Sequence, residues 1–317
     1  MQGFTLIPKK MLIGLQDYIV QETTKEWVLY HNDFSLCSRK VRICLYECGL
    51  EFESNHIDLI ETGKYEVASK KFLHINPNAT VPVLLNKGRP IYESHEQIKF
   101  IVNSVDSELN APADIEAIDY WMEKASMVGN PIEGHNIYAG NTIGPLTFPL
   151  FATMLRNVSF LEILKGLISH PMKERVIIFL LLKSLGFKVF KIKLIKKLVE
   201  NSLLILDSHL LELEKHLSSN DEAWLIGNSF SLADISWSVL LHRLTECNWD
   251  IILFKGKPNV QKYFQKLIQR ESFVQGISER KNINLEKGKK DLKKSLKEDQ
   301  LLQNIFNQLN KKVNGKR

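Results

Sequence analysis

The chain has 317 residues, 44% of them hydrophobic and 25% charged, a composition that excludes a wholly disordered or collagen-like polymer and predicts one or two domains with a sizeable core. Four cysteines in this length exclude a disulfide scaffold and point to a reducing, cytoplasmic setting. The net charge of +6 is local: Lys281 to Arg317 holds eleven Lys/Arg against four Asp/Glu, a balance of +7 that leaves the remainder at −1.

Residues 1–25 show no clear period and read as an N-terminal extension, with no sustained apolar run of the kind a secretory signal needs. Trp27 to His31 is a short β-rich run. Arg39 to Gly49 predicts a helix, with Val41, Leu45 and Cys48 at helical spacing and Gly49 placed as its C′ residue. A strand over 52–57 and a helix over 64–73 follow. Val81 to Leu85 and Pro90 to Tyr92, joined through Asn86-Lys87-Gly88, predict a hairpin. Ser94 to Val105 predicts a third helix, and the order β-α-β-α-β-β-α over 26–106 makes a small four-stranded sheet covered by helices. Residues 113–276 carry helical periodicity and no convincing strand, interrupted by a Gly/Pro-rich stretch over 129–149. Residues 277–317 read as a basic polar tail, largely solvated, with Leu301, Ile305 and Leu309 allowing one amphipathic helix.

The most apolar stretch, Val176 to Leu194, falls short of the roughly 20 apolar residues of a membrane span and carries Lys183, Lys188, Lys191 and Lys193. It predicts a helix packed on a core. A basic helix resting on an anionic membrane surface is the sharper alternative.

Four motifs carry the chemistry. Ser35-Leu-Cys37-Ser38-Arg39-Lys40 sits between the first strand and the first helix. A thiol there faces unpaired N–H groups and the positive end of the helix dipole, and two cations follow it. Such settings lower a cysteine from about 8.5 into roughly the 3.5–7.5 range. A hydroxyl there can instead donate to a substrate thiolate, or simply cap the helix. Thr80-Val81-Pro82-Val83 places a proline in an apolar strand run, either at an ordinary edge or in a cis bond that turns the Val81 backbone outward. Glu93-Ser94-His-Glu-Gln97 reads as a capping box whose Ser94 can also hold a carboxylate while Glu93 accepts an ammonium. Ser231 and Asp234 form a second capping box, with Phe230 and Ile235 as its hydrophobic staple. Cys44, Cys48 and Cys247 lack metal-ligand spacing, and no metal is expected.

Ser35-x-Cys37-Ser38-x-x-Val41-Arg42, Asn76-Pro-x-x-x-Val81-Pro82-Val83, Glu93-Ser94 and Ser231-Leu-Ala-Asp234, in that order, resemble a cytosolic glutathione transferase over about 27–273. The first motif is most similar to the zeta class (maleylacetoacetate isomerase) and to reductive dehalogenases of chlorinated hydroquinones. The resemblance implies a thioredoxin-like α/β domain followed by an all-helical one, glutathione as co-substrate, a hydrophobic electrophile and a homodimer; no nucleic acid is expected. It implies that Ser35 assists the glutathione thiolate, or that Cys37 forms a mixed disulfide supported by Ser38. It also implies that Val81, beside Thr80 and Pro82, contacts the glutathione backbone, and that Glu93 and Ser94 hold its γ-glutamyl end. Leu36 stands where a zeta enzyme has a second serine, and Thr80 where the family often has Lys or Gln. The lengthened helical part resembles ganglioside-induced differentiation-associated relatives, whose C-terminal membrane anchor has no counterpart here. Two functions therefore stand: a glutathione-dependent enzyme, and a transferase fold serving as a binding module at a membrane surface or on a partner.

Overall fold

The computed structural model describes residues 12–110, 114–127, 137–219 and 222–315. Its first part runs β1 (Gly14–Leu15), β2 (Trp27–His31), α1 (Leu36–Glu47), β3 (Glu53–His56), α2 (Lys70–Ile75), β4 (Val83–Asn86), β5 (Arg89–Tyr92) and α3 (Ser94–Ser104). The helices α4 (Ile115–Lys124), α5 (Ile143–Leu146), α6 (Phe148–Met154), α7 (Phe160–Ser169), α8 (Lys173–Leu185) and α9 (Lys193–Ser219) follow. The chain ends on α10 (Leu232–Glu246), α11 (Asp250–Leu253), α12 (Pro258–Ile268), α13 (Glu271–Phe273), α14 (Ile283–Glu298) and α15 (Gln300–Asn314). This is a small mixed sheet followed by a helical part, the expected fold class.

The sheet order is β1-β5-β4-β2-β3, with β2 parallel to β3 and every other pair antiparallel. All five residues of β2 are buried, because both faces of the sheet are covered. Successive side chains alternate between faces: Val28 and Tyr30 pack against Phe72 and Ile75 of α2, whereas Trp27 and Leu29 join the main core with α1, α3 and the later helices. The hairpin turn has φ of +50° at Lys87 and +81° at Gly88, the pattern of a type I′ turn. Gly88 is required there, since a Cβ would lie 2.3 Å from the carbonyl oxygen of Gln21.

Four expectations are corrected. Part of the N-terminal extension is integrated: β1 adds a fifth strand, and Val20 N donates to Gly88 O at 3.0 Å. Residues 60–75 form two 3₁₀ turns before α2, which starts late because Ser69 caps it by accepting from Phe72 N at 3.2 Å. The stretch 176–194 is broken at Gly186, whose φ is +52°, into α8, a 3₁₀ segment and the start of α9. Residues 283–314 are not a solvated appendage. Leu302, Ile305, Phe306, Leu309 and Val313 lie buried on one face of α15, and Phe306 stacks on Trp249 with centroids 4.2 Å apart. Gly288 of α14 meets α6 so closely that a Cβ would fall 2.4 Å from Met154 Cγ. The lysines of α14 and α15 mask an apolar spacing that is wide enough to dock both helices.

Between the two parts, α1 packs on α10, which is buried nearly all round as a central core helix is. Asp234 starts α10 as the capping box requires. It accepts from Ser231 N at 2.9 Å, Leu225 N at 3.0 Å and the Tyr263 hydroxyl at 2.7 Å. Among the described residues no helix is long and apolar enough to cross a membrane.

Candidate active site

The turn from β2 into α1 is built by Asn32. Its Oδ1 accepts from Phe34 N at 2.9 Å, and its Nδ2 donates to Ile57 O at 2.9 Å and Thr62 Oγ1 at 3.0 Å. Ser35 follows as the N-cap, accepting from Ser38 N at 3.3 Å, and its hydroxyl donates to Val81 O at 3.5 Å. Cys37, half-buried, is then the second residue of the helix. The Val81–Pro82 peptide is cis, and Asn76 Nδ2 holds Thr80 through O at 2.8 Å and Oγ1 at 3.0 Å. Ser35, Cys37, Thr80 and Val81 thus line one cavity of about 200 Å3 between the sheet and the helices.

Ser38 and Pro82 are not on that wall among the described residues. Ser38 is fully buried and its Oγ accepts from Asn32 N at 3.2 Å, which gives it a role in holding the turn. Pro82 is buried, and its carbonyl takes a hydrogen bond from Gln97 Nε2 at 3.1 Å. That bond also corrects the expected capping box. Gln97 uses its side-chain amide to join Pro82, the residue before β4, to β5, donating to Ile91 O as well at 2.7 Å. The N-cap position belongs to Glu93, held at φ +67°, and Ser94 is the first helical residue. A non-glycine residue in that region is strained, and such positions persist where surrounding structure over-determines them, commonly at ligand sites. Glu93 and Ser94 line a second cavity, of about 440 Å3, and Met127 borders both. Burial, then the nearby Glu96, raises the Glu93 carboxyl.

The cations after Cys37 diverge. Arg39 turns to the helical part and grips Glu246 with both arms, at 2.8 and 2.9 Å. Its charge is therefore spent on Glu246 and not on Cys37. Lys40 is buried, and its Nζ lies 2.9 Å from His95 Nε2. Burial, then Lys40 and Lys99, keeps His95 well below its usual range and so neutral. Its Nε2 accepts from Lys40, so its Nδ1–H donates to Ser126 Oγ at 2.8 Å. Burial lowers Lys40 as well, and the neighbouring Cys37 opposes that shift.

Six further polar residues line the first cavity: Glu61, Tyr65, Thr147, His170, Arg175 and Arg243. Arg175 donates to Glu61 Oε1 at 2.6 Å, tying α8 to the turn after β3. Burial pushes Tyr65 up to about 12 and His170 down to about 4, so both are neutral at physiological pH. Tyr65 lies against Gly166 of α7, where a Cβ would sit 2.5 Å from its ring. These residues belong to no motif, and sequence reasoning passed over them. A glycine inside the apolar α7 pattern was the one local sign of a close approach.

His31, Asp33 and His56 converge behind this site as three possible metal ligands. The donor set does not suit a cation. Arg42 Nη1 donates to His31 Nδ1 at 3.0 Å, leaving His31 Nε2–H to donate to Ser54 at 2.7 Å, so both ring nitrogens are engaged beside a guanidinium. Burial and Arg42 together hold His31 down to about 2.

Comparison with known proteins supplies the context for this geometry. Residues 34–103 match the family described as glutathione S-transferase, N-terminal domain, and residues 196–266 match glutathione S-transferase, C-terminal domain. The chain is 25% identical over 258 residues to a glutathione S-transferase TCHQD of Arabidopsis thaliana, covering 78% of this chain and 88% of that protein. It is 25% identical to a tetrachloro-p-hydroquinone reductive dehalogenase of Sphingobium chlorophenolicum, covering 77% and 93%. A human ganglioside-induced differentiation-associated protein 1-like 1 is 23% identical, covering 78% and 72%. Among solved structures, the β-etherase LigF of Sphingobium sp. strain SYK-6 superposes with a TM-score of 0.63 at 19% identity, covering 81% of this chain and all of that one.

Proposed function

The chain belongs to the glutathione transferase superfamily, and on that premise we propose that it is a glutathione-dependent enzyme of the Ser/Cys type. Glutathione is the co-substrate. Its backbone lies along Val81, its γ-glutamyl end at Glu93 and Ser94, and its sulfur at the start of α1. The observation that carries this reading is the convergence of Ser35, Cys37, Thr80 and Val81 on one cavity at a helix N-terminus. There the helix dipole favours a thiolate, from either the ligand or Cys37.

Cys37 is assigned the thiol-exchange role. Its thiolate attacks a sulfur of oxidised glutathione, an S–S bond forms, and one glutathione leaves as thiolate. Ser35 is assigned to the bound glutathione thiol, to which its hydroxyl donates. The second substrate is an electrophile held in the same cavity, whose wall of Phe34, Leu59 and Phe151 is largely apolar.

The test is chemical. Cys37 is expected to be alkylated by iodoacetamide ahead of Cys44 and Cys247, which are buried, and ahead of Cys48, which is half-buried on the same helix. Incubation with oxidised glutathione should add one glutathione at Cys37 by mass spectrometry, and C37S should abolish exchange. S35A should raise the pH at which bound glutathione ionises. Alkylation of Cys37 no faster than that of Cys48, together with intact turnover in C37S, would transfer the reaction to the thiolate of bound glutathione, assisted by Ser35.

A further inference from the structure

Arg243 reaches the first cavity from α10, in the opposite part of the molecule from Ser35. Its Nη2 donates to the carbonyl of Phe34, one residue before Ser35, and its guanidinium lies 3.6 Å above the Phe34 ring centroid. The side chain is 3% exposed. Such a charge needs a counter-ion, and the nearest is already divided. Glu246, equally enclosed, pairs with Arg243 Nε at 3.1 Å and is gripped by Arg39 at 2.8 Å.

The remaining charges do not restore the balance. His242 lies 3.3 Å from Arg39 and is neutral, held down to about 4 by burial. Glu61 is the one carboxylate among the described residues lining the cavity, and it is already taken by Arg175. Three guanidiniums thus face two carboxylates, leaving one positive charge in excess beside Ser35. An uncompensated buried charge is destabilising, and a ligand of opposite sign recovers that cost on binding.

We propose that Arg243 is the counter-charge of an anion held in this cavity beside Ser35. Two groups could supply that anion: an acidic group on the electrophilic co-substrate, or the thiolate of glutathione. The inference rests on the reading of this cavity as the active site, and it adds a residue from the helical part that no motif marks.

The experiment separates both sources and leaves the underlying reading testable by itself. Binding of 3-nitrobenzoate and of its methyl ester to the wild-type protein is measured calorimetrically without glutathione. Turnover is then followed with 4-chloro-3-nitrobenzoate and its methyl ester, where the thiolate forms a C–S bond and chloride leaves. If the co-substrate supplies the anion, the acid binds at least tenfold tighter than the ester, and R243Q removes that preference while R243K keeps part of it. If glutathione supplies it, acid and ester bind alike, and R243Q raises the pH midpoint of the bound thiol by about one unit, read from thiolate absorbance. Should R243Q fail to fold, the wild-type acid-to-ester ratio and R243K carry the test. Equal binding of acid and ester together with an unmoved thiol midpoint overturns the proposal. A wild-type protein that prefers the acid but binds no glutathione would instead overturn the glutathione reading and leave Arg243 in place.

Discussion

Replacing Asp234 by Asn changes one atom and tests the joint on which α10 is hung. The carboxylate is fully enclosed and accepts four hydrogen bonds. Ser231 N and Ser231 Oγ donate to Oδ2, at 2.9 and 2.7 Å, while Leu225 N and the Tyr263 hydroxyl donate to Oδ1, at 3.0 and 2.7 Å. Each oxygen therefore serves one backbone N–H and one hydroxyl. The hydroxyls can rotate to accept from an amide, but a backbone N–H cannot. Whichever way the Asn side chain is turned, its NH2 faces either Ser231 N or Leu225 N, and one buried donor is left unsatisfied, at about 1–3 kcal/mol. The surviving bonds also lose their charge assistance, worth about another 1 kcal/mol. The expected loss is about 2–4 kcal/mol, read as a shift of the urea midpoint by circular dichroism with unchanged slope. A midpoint within about 0.5 kcal/mol of wild type would refute this account of the joint.

Three further outcomes are expected. F306A removes a buried ring stacked on Trp249 and should cost about 3–5 kcal/mol in the same assay; a near-neutral effect would return α15 to the status of a loose tail. S94A should weaken glutathione binding by about 1.5–3 kcal/mol, the range of a charge-assisted hydrogen bond, and unchanged affinity of the folded variant would remove Ser94 from the site. Lys188, Lys191 and Lys193 are exposed, while Lys183 donates to Arg156 O at 2.9 Å. If this strip meets an anionic membrane, sedimentation with phosphatidylserine vesicles should appear at low salt and fade as salt rises, and no binding at low ionic strength would leave it a solvated face.

Local sequence determined the elements whose chemistry is local. The β2 run, the turn into α1 with Ser35 as its cap, the glycine of the hairpin, and the Ser231–Asp234 box were all legible, because each depends on residues within four or five positions. Tertiary structure decided the rest. It sent Arg39 across to Glu246, a residue 207 positions away, and so removed a charge that adjacency had assigned to Cys37. It used Gln97 to join Pro82 to β5 in place of closing a capping box, and it moved the N-cap to a strained Glu93. It docked the lysine-rich C-terminal helices, whose apolar spacing was present but outweighed by charge in any reading of composition. It also brought Arg243, Arg175 and Glu61 to the cavity from three separate segments. A side chain's partner is set by which backbone segments lie within a few ångströms of it. That proximity is created by packing α1 against α10, and no local pattern in the chain encodes it.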